Sequence, residues 1–158
     1  MENTSFKKGD VVVHLHLPDV RRFDSPTVII QREELASVGP KFFRFKQIWG
    51  DENRATDDHL FENVDAALNT KTESFSPLMD IVVRMTDNLE REVEKFIQHI
   101  KEEIELWKLN LEITIEELET DTCDGAKRRQ AILKERLAWL KKPLQTVARG
   151  IELKAEVA

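Results

Sequence analysis

The chain has 158 residues, of which 41% are hydrophobic and 34% charged, with 24 basic against 30 acidic side chains and a net charge of −6. This is enough apolar material for one core of ordinary size, and the acidic balance argues against a general nucleic-acid binder, which carries a basic surplus. One cysteine, Cys123, excludes an intrachain disulfide framework and a thiolate zinc cluster within one chain, and suits a reducing compartment.

The opening residues, Met1-Glu2-Asn3-Thr4-Ser5, lack the apolar region of a secretory signal, and no apolar run of about 18 residues follows. A cytoplasmic protein with no membrane partner is expected. Val11-Val12-Val13 follows the turn signal Lys8-Gly9-Asp10, and Thr27-Val28-Ile29-Ile30 follows Asp24-Ser25-Pro26. From Phe42 to Trp49 aromatic residues alternate, with Phe43, Phe45 and Trp49 on one face. Runs of β-branched and aromatic residues bounded by Gly, Pro, Asp and Ser predict strands. Gly50-Asp51-Glu52-Asn53 predicts a turn, and residues 57–68 a short strand followed by one or two helical turns. Residues 1–75 therefore predict a small curled sheet or barrel.

Residues 76–158 predict long helices. Apolar positions run Leu78, Val82, Met85, Leu89, Val93, Phe96, Ile100, Ile104, Trp107, Leu111, Ile115, Leu118, repeating every 11 residues. That period gives about 3.67 residues per turn, a nearly straight helix or a slight right-handed coil. Ser76 suits an N-cap with Pro77 at the first helical position. Thr120 to Gly125 breaks the helix. A second helix is predicted to carry Ile132 or Leu133, Leu137, Leu140, Leu144, Val147 or Ala148, and Ile151, with Pro143 kinking or ending it.

Charge favours antiparallel pairing of the two. Residues 84–120 hold 11 acidic and five basic side chains, and residues 127–154 hold nine basic and two acidic. Exposed ion pairs contribute only about 0–1 kcal/mol each, so the apolar seam must supply the stability. The second helix is too short to cover the start of the first. The apolar stretch Leu78, Val82, Met85 and Leu89 is then a surface for self-association, or for packing on the N-terminal part. A dimeric four-helix bundle is the preferred closure.

Candidate chemistry is sparse. His14 and His16 point to one face of a strand, a spacing that metal sites on strands use. A third ligand among Asp19, Asp57, Asp58 and His59 is not fixed nearby, and no metal, cofactor or catalytic residue is expected. Asp121 and Asp124 beside Cys123 disfavour its thiolate. Phe43, Phe45 and Trp49 form a possible ligand platform, and Lys127, Arg128 and Arg129 possible phosphate contacts. The bland alternatives are core packing for the aromatics and pairing with the acidic helix for the cations. Trp107 and Trp139 fall on the helical seams as packing anchors.

The segments Phe6-Lys7-Lys8-Gly9-Asp10-Val11-Val12, Ser25-Pro26-Thr27-Val28 and Phe45-Lys46-Gln47-Ile48-Trp49 resemble the small SH3-like barrels of the Tudor and KOW type. The resemblance implies a binding module for peptide, nucleic acid or another protein, and carries over no functional residue.

The sequence thus predicts an α+β protein: a small SH3-like β-barrel over 1–75, then a long antiparallel helical hairpin (coiled coil) over 76–158. The expected function is a non-enzymatic protein-interaction protein that forms a homodimer and acts as an adaptor, regulator or inhibitor of a larger assembly. The alternative is a nucleic-acid-binding or transcription-associated protein using the barrel and a basic helix face.

Overall fold

The computed structural model describes residues 5–18, 23–40, 43–46, 55–56, 60–71 and 80–152. The protein is mixed α+β, a curled sheet in the shape of a half-barrel with a long helix laid on one face.

Strand β1 (Val11–His16) pairs antiparallel with β2 (Thr27–Val38). At 12 residues β2 is long enough to take two neighbours on its other edge. Its second half pairs with β3 (Phe43–Phe45), which pairs with β4 (Ala55–Thr56). The register slips between Leu35 and Ser37, and such a bulge bends a strand and raises its twist. The sheet curls there. On the far side of β1, β6 (Asp80–Arg84) pairs antiparallel, and β5 (Leu60–Phe61) pairs parallel to β6. Helix α1 (Val64–Lys71) lies in the connection between β5 and β6, as a parallel pair requires.

Helix α2 (Leu89–Glu119) runs for 31 residues, about 46 Å at 1.5 Å per residue. Its first half is driven by sheet contact. Leu89, Val93, Phe96, Ile97, Ile100 and Ile104 pack on Val13, Leu15, Val28, Ile30, Ile81 and Val83. Beyond the turn at 120–125, where Gly125 takes φ 84°, α3 (Ala126–Leu140) packs on the distal half of α2. Ile115 and Leu118 meet Ala126 and Leu133 there, and the Gln130 side-chain amide donates to the Ile115 carbonyl at 3.1 Å. From Leu89 onward the 11-residue pattern marks the buried side of α2: Leu89, Val93, Phe96, Ile100, Ile104, Ile115 and Leu118 are buried, with Trp107 and Leu111 half-buried.

The helix does not begin at Leu78. Asp80–Arg84 is a strand inside the sheet, between β1 and β5. Ile81, Val82 and Val83 are all buried, one face against α2 and the other inside the curl. Three consecutive β-branched residues buried on both faces suit an interior strand, and such a strand shows no alternation. Leu78, the Ser76 cap and the boundary at 75–76 lie outside the described residues.

The second helix does not reach Ile151. It ends at Leu140, and Pro143, which has no N–H to continue a helix, leads into β7 (Gln145–Arg149). This strand pairs parallel with Thr27–Gln31 of β2, while Leu144 and Ile151 pack on the main core. The ion pairs of α2 include Lys95 with Asp65 of α1 and, within α2, Lys108 with Glu105 and His99 with Glu103, none of which reaches α3. None of these helices is long and apolar enough to cross a membrane.

Candidate functional site

Two surfaces stand out, the concave side of the half-barrel and the outer side of the helices.

The concave side is set by strand parity. Val12, His14 and His16 of β1 share a face with Glu33, Gln31 and Ile29 of β2, their register partners, and with Arg84, Val82 and Asp80 of β6. One end is apolar: Phe6, Val12, Leu35, Phe43, Leu60 and Val82 form a separate small core. The other end is polar. His14 and His16 stack, ring centroids 4.2 Å apart and planes within 9°. The Phe45 ring lies 5.2 Å from His14, although β2 separates β1 from β3. That contact shows how far the sheet curls over itself. The Nε2 atom of His14 bonds with the Asp80 carboxylate.

Glu33 and Gln31 are 7% and 8% exposed. Burial pushes the Glu33 carboxyl above the usual carboxylate range, and His14 offsets part of that rise. Among the described residues no three His, Cys, Asp or Glu side chains converge as metal ligands. Asp19, Asp57, Asp58 and His59 lie outside the described residues. The histidine pair of the sequence is thus one element of a wider polar cluster. The register that brings in Glu33, Gln31 and Asp80 is a long-range property, which no local signal reports.

The aromatic platform divides. Phe43 is buried in the small core, and Phe45 is half-buried at its border, edge-on to Phe43 at 5.3 Å. Trp49 lies outside the described residues. Trp107 and Trp139 pack on the main core as anchors.

The self-association residues divide as well. Val82 and Leu89 are buried in the protein's own cores, leaving Met85 exposed. The N-terminal part covers this stretch. The exposed apolar stripe lies farther along the same helix: Leu106, Leu109 and Ile113 are 54%, 53% and 46% exposed. Their spacing of three and four puts them on the side of α2 opposite Ile104 and Ile115. Exposed Glu102, Glu105, Glu112, Glu116 and Glu117 surround them. On α3, Ile132 is 45% exposed, and Arg128, Arg129 and Arg136 lie within one turn of it. Lys127, Arg128 and Arg129 are exposed and carry no ion pair among the described residues. The stripe was detectable in the sequence, as a second helical phase opposite the first.

Cys123 is exposed. Its backbone N–H donates to the Asp121 carboxylate at 2.8 Å, and that carboxylate holds the thiol above its ordinary range.

No family model, curated protein or solved structure matches the chain.

Proposed function

We propose that this is a non-enzymatic protein-interaction protein that self-associates through its helices. The observation that carries the reading is the Leu106–Leu109–Ile113 stripe, apolar, exposed and ringed by carboxylates. Its complement is on the same chain: Ile132 with Arg128, Arg129 and Arg136 and a single carboxylate, Glu135, three or four residues from it. A two-fold dimer would set α3 of each copy on the outer side of α2 of the other, so each contact is made twice. The α2–α3 pair acts in this reading as a helical hairpin, and two hairpins close a four-helix bundle.

Burial of a Leu or Ile side chain contributes about 1.5–3 kcal/mol. These side chains are already about half-buried, so six of them from two copies of the stripe give roughly 4.5–9 kcal/mol, within an association cost of about 4–15 kcal/mol. One stripe alone gives half of that, so the dimer needs the reciprocal contact. The SH3-like half-barrel stays free for a second partner, which suits an adaptor, regulator or inhibitor of a larger assembly.

Light scattering of the pure protein across a concentration series tests the reading. A dimer that the paired substitution Leu109→Glu and Ile113→Glu converts to a folded monomer supports it. A wild-type monomer at every concentration overturns it. The exposed Lys127, Arg128 and Arg129, which carry no ion pair among the described residues, favour a second reading, nucleic-acid binding through α3. Binding to duplex DNA or RNA that weakens steeply with salt would favour that reading.

A further inference from the structure

We infer that the concave mouth of the half-barrel is a binding site for a guanidinium group, held by Glu33 and Gln31 beside the stacked His14 and His16. This goes beyond self-association and stands without it. Ligand sites favour the mouths of barrels, where a few polar groups converge beside apolar walls. Here the wall is the small core around Val12, Phe43 and Val82.

The main observation is a carboxylate on a mostly buried residue that meets no protein donor among the described residues. Glu33 is 7% exposed, and among the described residues neither a hydrogen bond nor an ion pair reaches it; His14 acts on it only through charge. Buried carboxylates are ordinarily paired. Gln31, 8% exposed and directly opposite His14, adds an amide oxygen as a second acceptor. Arg149 of β7 is the register partner of Gln31, yet it is exposed and is not among the charges that act on Glu33. Arg84 lies across β1 from Glu33, with Val12 between them. Its guanidinium sits 4.4 Å from the Phe6 ring centroid and donates to the Ser5 carbonyl at 3.3 Å.

The chemistry of the mouth selects a planar cation. A carboxylate accepts two parallel N–H bonds from a guanidinium, and an ammonium cannot match that fork. A guanidinium also lies flat on aromatic faces. The stacked imidazoles and Phe45 supply such faces, and the bond to Asp80 fixes the orientation of the His14 ring. The donor is either a small guanidine compound or an arginine side chain of a partner protein, which share this chemistry.

The test is an NMR titration of the full chain, following the imidazole C–H signals of His14 and His16. The probes are N-acetylarginine amide, N-acetyllysine amide and the capped tripeptide Gly-Arg-Gly. Both arginine probes are expected to shift both histidines, and Glu33→Gln to weaken them at least about tenfold. Phe45→Leu is expected to weaken them less and leaves the acceptors intact. Tighter binding of the tripeptide assigns the site to a protein arginine, and tighter binding of the single residue assigns it to a small molecule. Silent histidines, equal binding of the lysine probe, or an unchanged affinity in Glu33→Gln would overturn the inference.

Discussion

The indole N–H of Trp139 donates to the backbone carbonyl of Phe23 at 2.8 Å, fastening the last turn of α3 to the chain entering β2. Two further bonds follow within six residues. The Lys142 ammonium donates to the Asp24 carbonyl at 3.0 Å, and the Gln145 N–H to the Pro26 carbonyl at 2.8 Å. Together they deliver β7 to the edge of β2. Trp139→Phe keeps a ring on the core and leaves the Phe23 carbonyl without its donor. The expected cost is about 0.5–1.5 kcal/mol, the net worth of one such bond. Urea unfolding of the variant against the parent measures it. An unchanged midpoint would show that water replaces the indole there.

The two sides of α2 are expected to respond differently to the same kind of truncation. Ile100 is fully buried against the sheet, so Ile100→Ala removes transfer energy and opens a cavity, costing about 2–5 kcal/mol. Leu106 is 54% exposed, and Leu106→Ala is expected to change the stability of the monomer by no more than about 0.5 kcal/mol. In the proposed dimer the same change weakens association. Unfolding measured at low and high protein concentration separates the two effects. Equal losses at both positions would contradict the orientation of the helix.

Much of the fold was legible in the sequence. The first two strands and the long helix beyond Leu89 carry strong local signals, and the curled sheet followed from them. The stretch from Leu78 to Met85 misled because two patterns coincide. Val82 and Met85 fit the helical spacing, and Ile81-Val82-Val83 also fits a strand buried on both faces. Only pairing with β1 settles which wins, and pairing is not local. Pro143 carried the signal for the end of α3, but β7 is short and half-exposed and gives almost no pattern of its own. The charged run Gln31-Arg32-Glu33-Glu34 concealed the full length of β2. It also concealed Glu33 as a residue of the mouth. Its carboxylate is inside because of the curl, and an isolated strand would place it in water.

The thiol of Cys123 is exposed yet is expected to react slowly. The nearby Asp121 carboxylate raises its pKa through a hydrogen bond and through charge, and the thiolate is the reactive form. Asp121→Asn removes the charge and is expected to speed alkylation by iodoacetamide several-fold at pH 8. The rate is read by mass spectrometry over a time course. No acceleration would mean that the carboxylate does not act on the sulfur. The loop itself is not expected to unfold, because the asparagine oxygen still accepts the Cys123 N–H.

Glu33 makes a prediction about pH. Burial raises its folded pKa above the ordinary value of 4.5, and His14 opposes only part of that rise. The folded protein therefore binds the Glu33 proton more tightly than the unfolded chain does. Its contribution to stability is present below about pH 4.5 and is lost as pH rises through the folded pKa. Ionised Glu33 thus destabilises the fold at neutral pH. Glu33→Gln keeps the volume and removes the charge, so the variant is expected to be more stable than the parent at pH 7. The gap should close on acidification toward pH 4. Glu92, also raised by burial, titrates in both proteins and cancels in the difference. Melting temperatures of the two proteins from pH 4 to 8 give the comparison. Parallel curves across that range would mean that the Glu33 carboxylate is paired or hydrated in the folded protein. The guanidinium probe should narrow the gap at pH 7 from the other direction, by stabilising the parent more than the variant.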